Sequence, residues 1–280
     1  MEIKVQKQEK LIKFLIHNNQ GLSFGNAQKL LRLGKVKVNG KRVKENIDIK
    51  PNDIVDIYTF NTSKPKVDIV YEDENILIVN KPQGIECATR DKSSNNTYSL
   101  EELFSDYNAI VVHRLDRLTE GLVILARSIE IARKFETYFK NKLINKYYMA
   151  CIHGIPKFEG IMTAYLRKDE KKALVDVIDN PKDGYKEIIT EFKILNKYDN
   201  YSLVDINLHT GRTHQIRGYF SHIGHPVMGD NKYSKLENKI TSSYKGYFLT
   251  SYKLKFNLSD ELSYLNSLNI EIKPSWLNLL

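Results

Sequence analysis

The chain has 280 residues, 41% hydrophobic and 28% charged, with 17 tyrosines and a single tryptophan. That balance supports a packed globular fold and excludes a largely disordered chain; the length suffices for one large core or two unequal domains. Lys and Arg number 43 against 34 Asp and Glu, a net charge of +9, which favours a polyanionic partner, nucleic acid before anionic lipid.

The amino terminus, MEIKVQKQEKLIKF, carries charge with no long apolar run behind it, so no secretory leader is expected. No segment approaches the ~20 apolar residues of a membrane helix. Cys87 and Cys151, without a CxxC spacing, read as two reduced thiols of a cytoplasmic protein.

Residues 1–60 read as a small basic unit. Leu11, Phe14 and Leu15 stand at helical spacing. Ser23 can cap a second helix with Ala27, Leu30 and Leu31 on its inner face and Gly34 as its stop. KVKVNGKRV sets Asn39-Gly40 between two short alternating strands, a two-residue hairpin signal, and DIVDIY closes the unit as a strand. Between Lys29 and Lys44 lie seven basic residues and no acid. Among them Lys29, Arg32, Lys35, Lys37 and Arg42 come from helix and hairpin and can share one surface. The stretch LRLGKVKVNGKRVKENIDIKPNDIVDI resembles the small alpha-L RNA-binding domain of the ribosomal S-four type. The resemblance implies that these cations meet phosphates of structured RNA, supplying affinity and placement instead of base identity. NTSKPK, residues 61–66, is polar and contains Pro65, and is expected to link this unit to a second domain, 67–280.

Strand-like segments dominate that second part: VDIVYED, ILIVNKP, GLVILA, KYYMACIHG, IITEFKIL, YSLVDINLHT and GYFLTSYKLKF. One clear helix sits among them, capped by Ser128 and running through Ile131, Phe135 and Phe139 to about Lys142. Irregularly spaced helices among many strands predict an α+β architecture around a mixed, largely antiparallel sheet. TGRTHQIRGYF has neither GxGxxG nor GxxxxGK[ST] spacing, so no nucleotide cofactor is expected.

YEDENILIVNKPQGIE, HRLDRLTEGLVILAR, KYYMACIHG and TGRTHQIRGYFSHIGHPVMGD, in this order, resemble the RluA family of RNA pseudouridine synthases. The resemblance spans residues 67–255 and implies the pseudouridine synthase fold, an isomerase without cofactor, and RNA as partner. Ribosomal RNA of the large subunit is the first expectation and transfer RNA the second; the chain is expected to act as a monomer. It also implies roles. Asp116 matches the catalytic aspartate, placed beside the sugar anomeric carbon as nucleophile or as base for elimination. Burial disfavours a charged carboxylate, so a cation must hold it ionised, and Arg217 matches that partner, with a guanidinium able to grip it bidentately. Ile216 would form part of an apolar wall against the uracil. Tyr148 matches the family tyrosine that stacks on the base and helps take its proton; strand alternation would turn Tyr147 the other way. Arg114 would fill the gap left by a flipped-out nucleotide.

Two positions depart from the family pattern, Leu118 and Glu120, and the second would put negative charge close to the RNA. Lys81 and Pro82 are expected to brace the strand beneath the site. Four histidines, His209, His214, His222 and His225, fall within seventeen residues, but no carboxylate or cysteine spacing completes a zinc set, so no metal is expected.

Overall fold

The structure is a computed structural model that describes residues 2–19, 22–57, 65–88, 98–170, 173–234, 236, 244 and 246–280. Asn61–Lys64 of the expected linker lie outside the described residues. The chain divides into two compact units, Met1–Lys64 and Pro65–Leu280.

The first unit contains β1 (Glu2–Lys4), β2 (Glu9–Lys10), α1 (Leu11–His17), α2 (Phe24–Arg32), β3 (Val36–Val38), β4 (Lys41–Val43), β5 (Asp48–Ile49) and β6 (Ile54–Ile57). Leu11 and Leu15 of α1 and Ala27, Leu30 and Leu31 of α2 pack on Val36, Val38, Val55 and Ile57 from a sheet ordered β1-β6-β3-β4. Asn39 (φ 50) and Gly40 (φ 77) both occupy the left-handed region, as the two-residue turn between β3 and β4 requires. The Asn39 side chain fixes that turn, accepting from the Ile54 N–H at 2.9 Å and donating to Asp53 at 2.9 Å.

The second unit contains β7 (Asp68–Glu72), β8 (Ile76–Lys81), α3 (Leu100–Leu103), β9 (Ile110–Val111), β10 (Glu120–Ala126), α4 (Ile129–Lys140) and β11 (Ile144–His153). It continues with β12 (Gly160–Asp169), β13 (Leu174–Ile178), β14 (Lys186–Lys197), β15 (Tyr201–Leu208), α5 (Gln215–His222), β16 (Leu249–Phe256) and β17 (Ile270–Glu271). Among the described residues these strands form one 11-stranded sheet, ordered β13-β12-β14-β15-β11-β16-β10-β8-β7, with β9 and β17 pairing β10 and β16. Only β10 and β16 pair in parallel among the named strands, so the α+β fold with a mixed, largely antiparallel sheet is observed.

The sheet centre explains the unbroken apolar runs. Leu77, Val79, Val123 and Leu125 feed one core, while Ile76, Ile78, Leu122 and Ile124 feed another with Ile131 and Phe135 of α4. A strand covered on both faces has no polar side to alternate with. Where β10 meets β16, Gly121 (φ +119) approaches so closely that a Cβ there would stand 2.2 Å from the Ser251 carbonyl oxygen. Helix α4 begins as expected, with Ser128 accepting from the Ile131 N–H at 3.2 Å, but it ends at Lys140 because Lys142 turns to φ 58.

Strands β12 and β13 and helix α5 are not evident in the sequence. Strands β12 and β13 lie at the sheet edge and bury one face each, through Ala164, Leu166, Val175 and Val177, but apolar residues such as the exposed Ile161 also occupy the outer face and blur the alternation. GRTHQIRGYF supplies helix α5, which starts after His214 at φ 54 with no side-chain cap on its first turn.

Candidate active site

Asp116 lies in the loop between β9 and β10, and three side chains brace that loop. Lys81 is fully buried, and its ammonium donates to the carbonyls of Ile85 at 2.9 Å and of Pro82 and Arg117 at 3.2 Å. Burial brings its pKa down to about 8. The Cys87 thiol accepts from the Leu115 N–H at 3.3 Å, next to Asp116. His113 accepts at Nε2 from the Ile124 N–H at 3.0 Å. Burial, and then the charge of Lys146, hold that imidazole neutral with a pKa near 3.

Arg217 stands in the first turn of α5, and its side chain is 3% exposed. Its Nη1 donates to Asp116 Oδ2 at 2.7 Å. The sequence expectation of a bidentate grip on Asp116 needs correction: the two-point contact goes to Asp230, with Nε to Oδ2 at 2.6 Å and Nη2 to Oδ1 at 3.1 Å. Nη2 also donates to the Tyr247 hydroxyl at 2.9 Å. The guanidinium carbon lies 4.9 Å from the Tyr233 ring centroid and 4.3 Å from that of Tyr247, a cation–π contact with each. Burial alone works against this cation. The hydrogen bonds and charge of Asp230, then the charge of Asp116, outweigh it and raise its pKa above the usual arginine value.

His214 sits at hydrogen-bond distance from the Tyr233 hydroxyl through Nδ1, 2.8 Å, with Nε2 3.7 Å from Asp116 Oδ2. Burial pulls its pKa below the ordinary histidine value, against the opposing pull of Asp116. The contacts of Arg217 and His214 thus both fall on Oδ2, and Oδ1 has no protein donor among the described residues.

These groups border a cavity of about 1010 Å³ lined by Arg114, Asp116, Lys146, Tyr148, Leu208 and His214, among others. Tyr148 is 6% exposed, and burial lifts its phenol well above the usual tyrosine pKa, so it is present as the neutral hydroxyl. Tyr147 points away, its ring beneath the Lys255 ammonium at 5.8 Å. Arg114 is exposed at the cavity.

Two further side chains lie away from the cavity, and for Glu120 the expectation is corrected. Ile216, 4% exposed, packs into the core and is not among the residues that line the cavity. On a helix its side chain leaves at about 100° from that of Arg217, so the two cannot share one direction. Glu120 is not among the residues that line the cavity and is 7% exposed. It accepts from the Thr250 hydroxyl at 2.8 Å, the Ser275 N–H at 2.9 Å and the Ser275 hydroxyl at 2.6 Å. Strand alternation from the buried Leu122 would have shown Glu120 facing a core side.

Asp230, Tyr233 and Tyr247 went unnoticed in the sequence, although Asp230 closes the HPVMGD run. Among the described residues no group of three or more His, Cys, Asp or Glu could hold a metal ion. Nor is any helix among them long and apolar enough to cross a membrane.

In the first unit, register pairs Lys37 with Arg42 across the hairpin, so the two share one face. Arg32, Lys35 and Arg42 are exposed and Lys37 is half-buried, whereas the side chain of Lys29 lies outside the described residues.

Both units are similar to known proteins. The RNA pseudouridylate synthase family model matches residues 75–222, and the S4 domain model matches residues 20–55. An uncharacterised RNA pseudouridine synthase of Mycoplasma capricolum is 32% identical over 98% of this chain and 97% of its own length. The ribosomal large subunit pseudouridine synthase C of Buchnera aphidicola (strain Bp) is 32% identical over 94% of this chain and 86% of its own. The solved structure of human RNA pseudouridylate synthase domain containing 4 shares the fold, with a TM-score of 0.60 at 20% identity over 75% of this chain and 90% of that one. The chain belongs to the RNA pseudouridylate synthase family, with an S4 RNA-binding domain in front of an isomerase that acts on uridine in RNA.

Proposed function

We propose that this enzyme isomerises specific uridines of large-subunit ribosomal RNA and that Asp116 is its reacting carboxylate. The observation that carries the reading is the 2.7 Å contact of the buried Arg217 with Asp116 at the edge of a cavity. A relative's printed name, ribosomal large subunit pseudouridine synthase C, supports the RNA class.

The reaction breaks the N1–C1′ bond, turns the uracil and rejoins it through C5. It needs no external reactant, but it needs an ionised carboxylate at the sugar. Arg217 supplies the countercharge, and Asp230 keeps that guanidinium fixed while Asp116 reacts. Oδ1 of Asp116 is then the oxygen available to the sugar, as nucleophile on C1′ or as base for elimination to a glycal. The neutral Tyr148 phenol offers a stacking surface and a hydroxyl to the everted base. Arg114 fills the vacated stack, offsetting an unstacking cost of a few kcal/mol. Ile216 supports the site from the core behind Arg217. Residues 1–60 hold the RNA through Arg32, Lys35, Lys37, Arg42 and Lys29, and 67–280 perform the chemistry. Asp116, Arg217 and Tyr148 all come from one chain, which suits a monomer.

The test maps pseudouridine across all RNA of a deletion strain complemented with wild type or Asp116→Asn. Sites in large-subunit ribosomal RNA disappear on deletion and return only with wild type, while the variant still binds RNA. Loss confined to transfer RNA would overturn the RNA class, and rescue by Asp116→Asn would overturn the role of the carboxylate.

A further inference from the structure

Lys81 braces the Asp116 loop from the core, Lys146 lines the cavity, and the two ammonium groups differ in one respect. All three protons of Lys81 are taken by carbonyl oxygens. Lys146 has neither an ion-pair nor a hydrogen-bond partner among the described residues. Its ammonium instead lies over the Phe139 ring, 4.9 Å from the centroid. Burial draws its pKa below the ordinary lysine value, with no carboxylate to restore it. Holding an unpaired cation in partly desolvated surroundings costs stability, and that cost is recovered when a ligand brings the countercharge.

Three observations say what that ligand is. The cavity carries six cationic side chains, Arg114, Arg117, Lys140, Lys142, Lys146 and Arg212, against the acids Glu86 and Asp116. Lys146 and Tyr148 both line it, two residues apart on β11, so their side chains leave the same face at roughly 7 Å spacing. That spacing is about the distance from a base to a phosphate of its own nucleotide. At Gly211, which also lines the cavity, a Cβ would stand 3.3 Å from the Lys146 Nζ, so the missing side chain leaves the ammonium room.

We infer that Lys146 is the anchor for a backbone phosphate flanking the everted uridine, so that base on Tyr148 and phosphate on Lys146 are measured along one strand. This deepens the proposed function and rests on it. Such an anchor places the nucleotide lengthwise and excludes a free uracil or nucleoside, which lacks the charge.

The test compares the full-length wild type, Lys146→Met and Lys146→Arg in binding a five-nucleotide oligouridine. It repeats the measurement on oligomers carrying one neutral methylphosphonate linkage, moved position by position. Lys146→Met should weaken binding about tenfold and lower the salt slope of log Kd by about 0.7, the release from one single-strand phosphate. Lys146→Arg should keep the slope. One methylphosphonate position should weaken wild type by a similar factor and add nothing in Lys146→Met. An unchanged slope, additive effects at every linkage, or no binding of the oligomer by wild type overturns the inference. Conversion of ribosomal RNA transcripts by wild type, run alongside, separates that failure from failure of the proposed function.

Discussion

Replacing Asp230 by Asn tests whether Arg217 depends on a second carboxylate. Asp230 is 0% exposed at its side chain and Arg217 is 3% exposed. The substitution preserves shape and leaves one acceptor, but it removes the charge that meets two guanidinium nitrogens at 2.6 and 3.1 Å. It also weakens the turn in which Asp230 accepts from the Lys232 and Tyr233 N–H groups. Breaking a buried pair on one side costs about 3–5 kcal/mol, and the retained acceptor places Asn at the lower end, about 3 kcal/mol. For a unit of this size that corresponds to a fall in Tm of about 6–12 °C. Differential scanning calorimetry reads it directly. The shared guanidinium sharpens the test. With Asp116→Asn alone, Arg217 keeps Asp230; with both changed, it keeps no carboxylate. The double variant should therefore be less stable than the sum of the singles, by about 1–3 kcal/mol. A Tm for Asp230→Asn within 2 °C of wild type (about half a kcal/mol), or strict additivity, would refute the two-carboxylate account.

Glu120→Ala removes the acceptor of three hydrogen bonds that tie Thr250 and Ser275 to β10. It should cost about 2–4 kcal/mol and expose the chain around Trp276 to limited proteolysis, without tightening RNA binding; tighter binding would restore the view of Glu120 as a charge facing RNA. His113 gives a pH dependence. Its folded pKa, near 3, lies below the ordinary 6.5, so the unfolded chain binds more protons between those values and acidification destabilises the fold through that window. Melting curves from pH 7 to 4 should fall less steeply for His113→Gln than for wild type; parallel curves would show that His113 does not contribute.

Several parts of the fold are legible from the residues alone, because local chemistry is decisive there. Asn39-Gly40 specified a turn because its conformation needs left-handed backbone at two successive positions. ILIV and GLVILA specified central strands because both faces are covered. Ser128 specified a helix start, and strand alternation turned Tyr147 aside, whereas Asp116, Tyr148 and Arg217 came forward only through the family resemblance of HRLD, KYY and HQIR. Strands β12 and β13 were faint because apolar residues such as Ile161 stand on the outer face as well as on the face that packs into the core.

Which charges meet emerges only on folding. Arg217 is 101 residues from Asp116 and 13 from Asp230, and nothing in either spacing says that the nearer one takes the two-point grip. Glu120 turned out to bind Ser275, 155 residues away, and Ile216 to pack in the core behind the helix. Lys81 and Lys146 look equivalent in the sequence, yet folding surrounds one with carbonyls and leaves the other over an aromatic ring. Residue type fixes the charge a side chain can carry. Its partner is set by distances of a few ångströms that exist only once the strands and helices have packed, since Coulomb and hydrogen-bond energies fall away beyond them.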